Sequence, residues 1–544
     1  MAEPLNLGAI HEAIAAAIPD REALVFRDRR FTWAQVGDRT RRLAAVLRRH
    51  GLGCRRERSQ LRNWESGQDH VALYLYNGNE YLEGMLGAFK ARAVPFNVNY
   101  RYVEDELRYL FENADARAVI YHARFAPLLA KIRGALPKLA LLLQVADDSG
   151  EPLLDGAQDY EQVLATAAPE PPRDLSSEDL YILYTGGTTG MPKGVLWRQA
   201  DIYAAALAGL QPRRSVEEIV ARAKEPPLRT LPAPPFMHGA AHWAAFSFWH
   251  AGGTVIVQSE PRHLDADDIW STVERERVDT ITIVGDAFGR PLLDQLERKS
   301  YDLSSLRLLT SGGAILTATL KQQFLERVPG LRILDALGSS ESGAQASQIS
   351  ASGGKATTGD FAVASGNVVL REDLSGVLGA GTGERGWLAR QGFIPLGYYK
   401  DEEKTRKTFP VIGGTRYAVP GDRATVEPDG TLRLLGRDSV TINTGGEKVF
   451  AEEVEQALKH HPSVYDAVVV GTPHERFGQQ VTAVVRLRAG ATASPEELRR
   501  AAGEHLAPYK LPRTFVFVDE VVRSPSGKAD YRWARARATQ PPGA

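Results

Sequence analysis

Between residues 69 and 334 short β-branched or aromatic runs alternate with amphipathic stretches. The run 71–76 predicts a strand and Asn77-Gly78-Asn79 a turn, after which Leu82, Met85, Leu86 and Phe89 fall at the i, i+3, i+4, i+7 spacing of a helix. A strand is predicted again at 94–98. The same pattern gives strands at 254–257, 280–284, 306–310 and 331–334, and a helix opening near Asp265 with Ile269 and Val273 on one face. This is the βαβ rhythm of a mostly parallel sheet covered by helices. Beyond Gly436 the rhythm shortens, with a helix over 453–460 stopped by Pro462 and strands at 467–470 and 481–487. Ser494-Pro495-Glu496-Glu497 reads as a capping box with proline at the first helical position. The fold class expected is α/β: a large domain of stacked, mostly parallel sheets with helices over 1–436, and a small α+β domain over 437–544.

Composition narrows the function classes. The chain has 66 Lys and Arg against 67 Asp and Glu, a net charge of −1, so no global cationic footprint points to nucleic acid. One cysteine, Cys54, excludes an internal disulfide framework and a cysteine-based zinc site. No run approaches the ~18 apolar residues of a transmembrane helix, and residues 1–18 lack a basic start followed by an apolar stretch, so a cytoplasmic protein is expected. The irregular segment 54–69, with Arg55, Arg56, Arg58 and Arg62, is expected to be a solvated loop, a phosphate or partner contact being the alternative. Residues 167–172 form a Pro/Ala-rich connector.

Candidate chemistry sits after the apolar run 180–184, in Thr185-Gly186-Gly187-Thr188-Thr189-Gly190-Met191-Pro192-Lys193-Gly194. Such a loop lets backbone N–H groups converge on an anion, while threonine hydroxyls and Lys193 add hydrogen bonds and charge. It is neither a Walker loop nor a dinucleotide fingerprint.

The string 184–195 resembles the first signature of the adenylate-forming superfamily, which includes acyl-CoA synthetases, with Gly186 where a serine is usual. The resemblance continues in order along nearly the whole chain. Leu337-Gly338-Ser339-Ser340-Glu341 is similar to the family's aromatic-Gly-x-Thr-Glu motif; it implies that Ser340 contacts the α-phosphate and that Glu341 holds Mg²⁺. Asp422, in Tyr417-Ala418-Val419-Pro420-Gly421-Asp422, and Arg437, after Gly436, match the residues that take the ribose. Gly445-Gly446-Glu447 resembles the loop that enters for the thioester step, and Ser524-Pro525-Ser526-Gly527-Lys528 the motif of the adenylation lysine. Within the superfamily, Asn97-Val98-Asn99-Tyr100-Arg101-Tyr102, the loop start 184–187, the stretch 442–448 and Asp530-Tyr531-Arg532-Trp533 look most like actinobacterial fatty-acyl and steroid side-chain CoA ligases. The family's hinge position is occupied by Val440, stiff and uncharged, which leaves Asp438 as an alternative pivot.

The resemblance implies an ATP-dependent ligase that turns a hydrophobic carboxylic acid into an acyl-adenylate and passes the acyl group to CoA, releasing AMP and pyrophosphate. ATP, Mg²⁺ and CoA are the implied cofactors and co-substrates, and the partner a small-molecule acid, with monomer and homodimer both open. It also implies that the C-terminal domain rotates between steps, removing Lys528. The acyl pocket is expected near Phe236, Trp243, Asp286, Gly312, Gly313 and Ala314, with His238 orienting or gating it; His242 lies four residues on with no third metal ligand evident. Two alternatives stand beside this reading: an acyl-AMP ligase loading a carrier-protein phosphopantetheine, and a nucleotide- or acyl-binding homologue without turnover.

Overall fold

The computed structural model describes residues 5–185, 191–209, 215–354, 356–358, 360–437, 440–444, 447–475, 477–524 and 527–540. One sheet is wholly parallel, in the order Val94–Asn97, His70–Tyr74, Ala116–His122, Leu141–Val145, Gln158–Asp159. A second sheet is parallel through Glu22–Phe26, Thr254–Val257, Arg229–Pro232, Thr280–Ile283, Leu308–Gly312 and Arg332–Ser339. At Gly343 the chain turns back on itself, and the strands added beyond it, Gly343–Ala351, Asp360–Val363, Leu432–Arg437, Asp422–Val426 and Gly386–Gln391 among them, pair antiparallel. The parallel expectation therefore holds for these two sheets up to Arg332–Ser339 and stops where the intervening helices do, since a parallel return needs a crossover, while the short sheet of Gly397–Tyr398, Lys193–Arg198 and Leu180–Thr185 is antiparallel.

The helix Asn79–Lys90 is buried over its whole length. Gly87 makes this possible: a β-carbon there would come 2.5 Å from Leu43 in the neighbouring helix Trp33–Arg49. The main core clusters against this pair, with Trp33, Leu43, Leu86, Phe89, Phe246 and Trp249.

Sheet membership changes between Arg437 and Thr441. From there Glu447–Phe450, Thr441–Thr444, Gly478–Leu487 and Val464–His474 pair antiparallel, and Thr514–Phe517 joins Gly478–Leu487 in parallel. The helices Ala451–Lys459 and Pro495–Gly503 belong to this unit, the second opened by the Ser494/Glu497 capping box that the sequence predicts. Val440 packs with Ile442 and Val449 in its core. Asp438 lies outside the described residues.

The basic segment is a loop closed on itself. Arg55 and Arg56 N–H groups donate to the Gly67 carbonyl at 2.7 and 3.1 Å. Arg55 pairs with Asp69, and Arg58 donates to the Glu65 carbonyl at 2.8 Å. Arg55 and Arg58 thus serve the loop, and Arg56 and Arg62 are exposed.

Candidate active site

The glycine-rich loop joins two antiparallel strands, Leu180–Thr185 and Lys193–Arg198, with Thr185 opposite Lys193. Gly186, Gly187, Thr188, Thr189 and Gly190 lie outside the described residues. Asn97, at the carboxyl end of its strand, fixes the approach to the loop. It donates through Nδ2 to the Tyr184 and Met237 carbonyls, both at 2.8 Å, and accepts from Tyr184 N–H at 2.8 Å. Asn77 does the same one strand over, donating to Pro234 O at 2.9 Å and accepting from Phe236 N–H at 2.6 Å. Two asparagines thus tie the 234–237 segment to the strand ends, where open α/β sheets place their ligands. Lys193 is paired with Asp401.

Glu341 sits in the turn between Arg332–Ser339 and Gly343–Ala351. Its Oε1 accepts from the Tyr398 hydroxyl at 2.9 Å. Three groups hold the turn. Trp197 Nε1 donates to Ser340 O at 2.9 Å, the Ser339 and Ser342 hydroxyls are 2.8 Å apart, and Arg390 donates to the Ser342 and Ala344 carbonyls at 2.8 and 2.6 Å. Arg390 is buried, and burial brings its guanidinium down to about 10. A β-carbon on Gly338 would overlap the Gly343 carbonyl oxygen, so the motif glycine is a backbone requirement. Neither Arg390 nor Tyr398 lies in a sequence motif, and only the packing brings them to the Glu341 turn.

Asp422 opens its strand opposite Arg437, after Gly421 at φ +108°, and is buried. The two ribose candidates are thus cross-strand partners in the backbone register. Gly445 and Gly446 lie outside the described residues, and Glu447 begins the strand Glu447–Phe450.

The Gly312-Gly313-Ala314 stretch ends the strand Leu308–Gly312. Gly313 has φ +84°, and a β-carbon there would lie 4.0 Å from Lys528 Cε. The C-terminal domain therefore delivers Lys528 to the strand end. Gly527, at φ +72°, rests on the N-terminal domain, where a β-carbon would meet Val284 O at 3.0 Å and Ala287 Cβ at 3.1 Å. The lysine loop is closed by Gly527 N–H to Ser524 O and Ser524 N–H to Lys528 O, both at 2.8 Å.

His238 is held neutral, its imidazole brought down to about 3 by burial first and then by the charge of Lys528. Its Nε2 has no hydrogen-bond partner among the described residues. His242 is structural: Nδ1–H donates to Phe236 O at 2.7 Å, and Nε2 accepts from the Tyr181 hydroxyl, which itself accepts from Trp243 Nε1 at 2.8 Å. Among the described residues no group of three or more His, Cys, Asp or Glu could hold a metal ion. Phe236 lies in the core against Tyr81, fully buried, whereas Trp243 is partly exposed. Asp286 accepts from Thr317 N–H at 2.8 Å and pairs with Lys459 of the C-terminal domain at 3.3 Å.

Residues 11–368 match the AMP-binding enzyme family, and residues 453–528 match the AMP-binding enzyme C-terminal domain. The chain belongs to the AMP-binding enzyme family. It is 52% identical over 537 residues to the medium-chain acyl-CoA ligase Mig of Mycobacterium avium, covering 97% of this chain and 98% of the relative. It is 42% identical over 545 residues to the 3-oxocholest-4-en-26-oate–CoA ligase of Rhodococcus rhodochrous, covering 98% and 95%. The fold matches the anthranilate CoA ligase AuaEII in complex with anthranoyl-AMP, with a TM-score of 0.83, 24% identity and 98% of both chains covered. It also matches a Mycobacterium tuberculosis fatty acyl CoA synthetase, with a TM-score of 0.70, 24% identity and 98% of both chains covered. In this family member Glu341 is the one carboxylate of the signature turn, and a single carboxylate suits Mg²⁺, which takes much of its coordination from substrate phosphate and water. No helix among the described residues is long and apolar enough to cross a membrane.

Proposed function

We propose that this chain is an ATP-dependent acyl-CoA ligase for a hydrophobic carboxylic acid, of the fatty or steroid side-chain class, working in the cytoplasm where ATP and CoA are at hand. The observation that carries the reading is Lys528 reaching Gly313 across the domain boundary, with its charge acting on His238, whose neighbour Met237 is tied by Asn97 to Tyr184. The relatives named as medium-chain and steroid-acid CoA ligases support the substrate class.

A carboxylate cannot expel oxide, so it is first made a mixed anhydride. Its oxygen attacks the α-phosphorus of ATP, the bond to the bridging oxygen breaks, and pyrophosphate leaves. Charge builds on the phosphoryl oxygens, and fixed donors and cations lower the barrier. In this reading the glycine-rich loop with Thr185 and Lys193 holds the β- and γ-phosphates, and Ser339 and Ser340 face the α-phosphate. Asp422 and Arg437 take the ribose, and Lys528 neutralises the phosphoryl oxygens. Mg²⁺ held by Glu341 would add charge neutralisation. Lys193 must exchange Asp401 for phosphate when ATP binds. Neutral His238 neither repels Lys528 nor competes for the acid, and it borders the acyl group as an orienting residue. The C-terminal domain, 437–544, is then a mobile lid that withdraws Lys528 and brings Gly445, Gly446 and Glu447 to the CoA channel. The thiol of CoA attacks the acyl carbon, and AMP leaves.

The test is purified protein with ATP, Mg²⁺ and CoA against short, medium and long fatty acids, aryl acids and steroid side-chain acids, with thioester read by mass and AMP by chromatography. Thioester from a hydrophobic class is expected. Adenylate without thioester would reassign the enzyme to carrier loading, and no product from any acid would end the ligase reading.

A further inference from the structure

The helix Gly285–Arg298 carries Asp286, Arg290 and Asp294 four residues apart, hence in one stripe. This stripe meets the C-terminal domain. Asp294 Oδ2 accepts from the Tyr465 hydroxyl at 3.3 Å, and Asp286 Oδ2 lies 3.3 Å from Lys459 Nζ. Lys459, the last residue of its helix, is also 3.3 Å from Asp466 Oδ1. Asp466 in turn receives two hydrogen bonds from Arg523, each 2.7 Å. Arg523 then donates through Nη1 to the Gly527 carbonyl at 3.1 Å, one residue before Lys528. The side chains of Asp286, Lys459, Asp466 and Arg523 are 11 to 15% exposed. One unbroken polar chain thus runs from a helix of the N-terminal domain to the backbone of the lysine loop.

Along the chain carboxylates and cations alternate, with buried Glu455 also facing Lys459 and Arg523, so each buried cation has opposite charge beside it. Although burial disfavours the Asp466 charge, Lys459 and Arg523 hold its carboxyl well below the usual range. The links differ in what domain rotation would do to them. Asp466, Arg523 and Gly527 are all on the C-terminal domain and move together. Within this chain of contacts Lys459–Asp286 is the link that crosses the boundary, beside the Asp294–Tyr465 hydrogen bond, and when it parts, Lys459 keeps Asp466 while Asp286 keeps Thr317. Neither charge is stranded, so the crossing is suited to repeated making and breaking.

We propose that Lys459 and Arg523 are positioning residues for the adenylation step: Lys459 docks on Asp286 as a reversible latch, and Arg523 carries that docking to the Lys528 loop. This rests on the ligase reading, but its physical part can be tested apart from it. Asp286→Asn keeps the acceptor for Thr317 and removes the charge facing Lys459. Spin labels at Glu297→Cys and Glu496→Cys, in a Cys54→Ser background of the full chain, report the distance between domains. The parent is expected to give one narrow distance population and Asp286→Asn a broadened one. Unchanged distances would overturn the latch whether or not an acid substrate is found. With a substrate in hand, Lys459→Gln is expected to slow pyrophosphate release in the absence of CoA at least tenfold. Thioester formation from supplied acyl-adenylate should stay within threefold, and Lys459→Arg should restore most of the first rate. Equal loss in both half-reactions, or no rescue by arginine, would reduce Lys459 to a structural residue and overturn its positioning role.

Discussion

At single positions, the residues with the largest expected effects are those whose replacement leaves a partner unmet. Lys528→Ala removes the cation delivered to Gly313, and adenylation should fall by about two orders of magnitude or more, the usual scale for one preorganised electrostatic group. Thioester formation from supplied acyl-adenylate should be spared; comparable losses in the two half-reactions would reject the division of labour between the domain positions. Asn97→Ala strips three hydrogen bonds from a buried staple and leaves the Tyr184 and Met237 backbone groups without it. A loss of about 2–4 kcal/mol in denaturant unfolding is expected from unsatisfied buried groups on this scale. A loss under about 0.5 kcal/mol would show that the staple is dispensable. Lys528 stands out in the sequence because it lies in an ordered series of motifs. Asn97 was legible only as part of a likeness, since its bonding to Tyr184 and Met237 is made by chain segments 87 and 140 residues away.

At the level of elements, buried imidazoles give the fold a pH signature. His242, on the helix Gly239–Trp249, and His250, which caps it, are each brought down to about 4 by burial, and so is His122 at the end of Ala116–His122. Unfolded histidine titrates near 6.5, so between about 6.5 and 4 the unfolded chain binds more protons than the native one. Stability therefore rises with pH through this window and is lost as pH falls through it. These three alone contribute a limiting slope of about 4 kcal/mol per pH unit, and the buried His238, His11 and His70, lowered likewise, act in the same direction. The thermal midpoint should drop between pH 6.5 and 5, above most carboxylate titrations, and His250→Gln should flatten the drop. A midpoint flat across that interval would contradict the burial of these rings. Element positions are largely readable from the sequence. The strand Thr254–Val257 and the Ser494 cap coincide with their sequence patterns, because local periodicity and capping chemistry are carried by neighbours in the chain. The antiparallel strands after Gly343 were not, since pairing direction is set by the connection and not by the strand's own residues.

For the whole molecule, the contacts between the two domains among the described residues include Asp286–Lys459, Asp294–Tyr465 and the Gly527 turn. A ligand that contacts Lys528 and the N-terminal domain together should favour this arrangement. A non-reactive acyl-adenylate analogue at about a hundredfold its Kd is expected to stabilise the protein by about 2.7 kcal/mol. Lys528→Ala should show a smaller shift at the same concentration. Equal shifts in the two proteins would mean that the lysine does not touch the adenylate.

The sequence by itself determined the α/β class, the change of rhythm near Gly436 and the ordered motifs that place the chain among adenylate-forming enzymes. Each of these is written in contiguous residues: periodicity, turn chemistry, or a string of glycines and hydroxyls. Only the tertiary structure decided that Phe236 belongs to the core, that His242 is spent on Tyr181 and Phe236, and that Asp286 faces Lys459. It alone set Arg390 and Tyr398 around the Glu341 turn. The physical reason is shared by all of them. A buried polar side chain takes its role from whichever donor or acceptor the fold brings within about 3 Å, and that partner stands tens to hundreds of residues away in the chain.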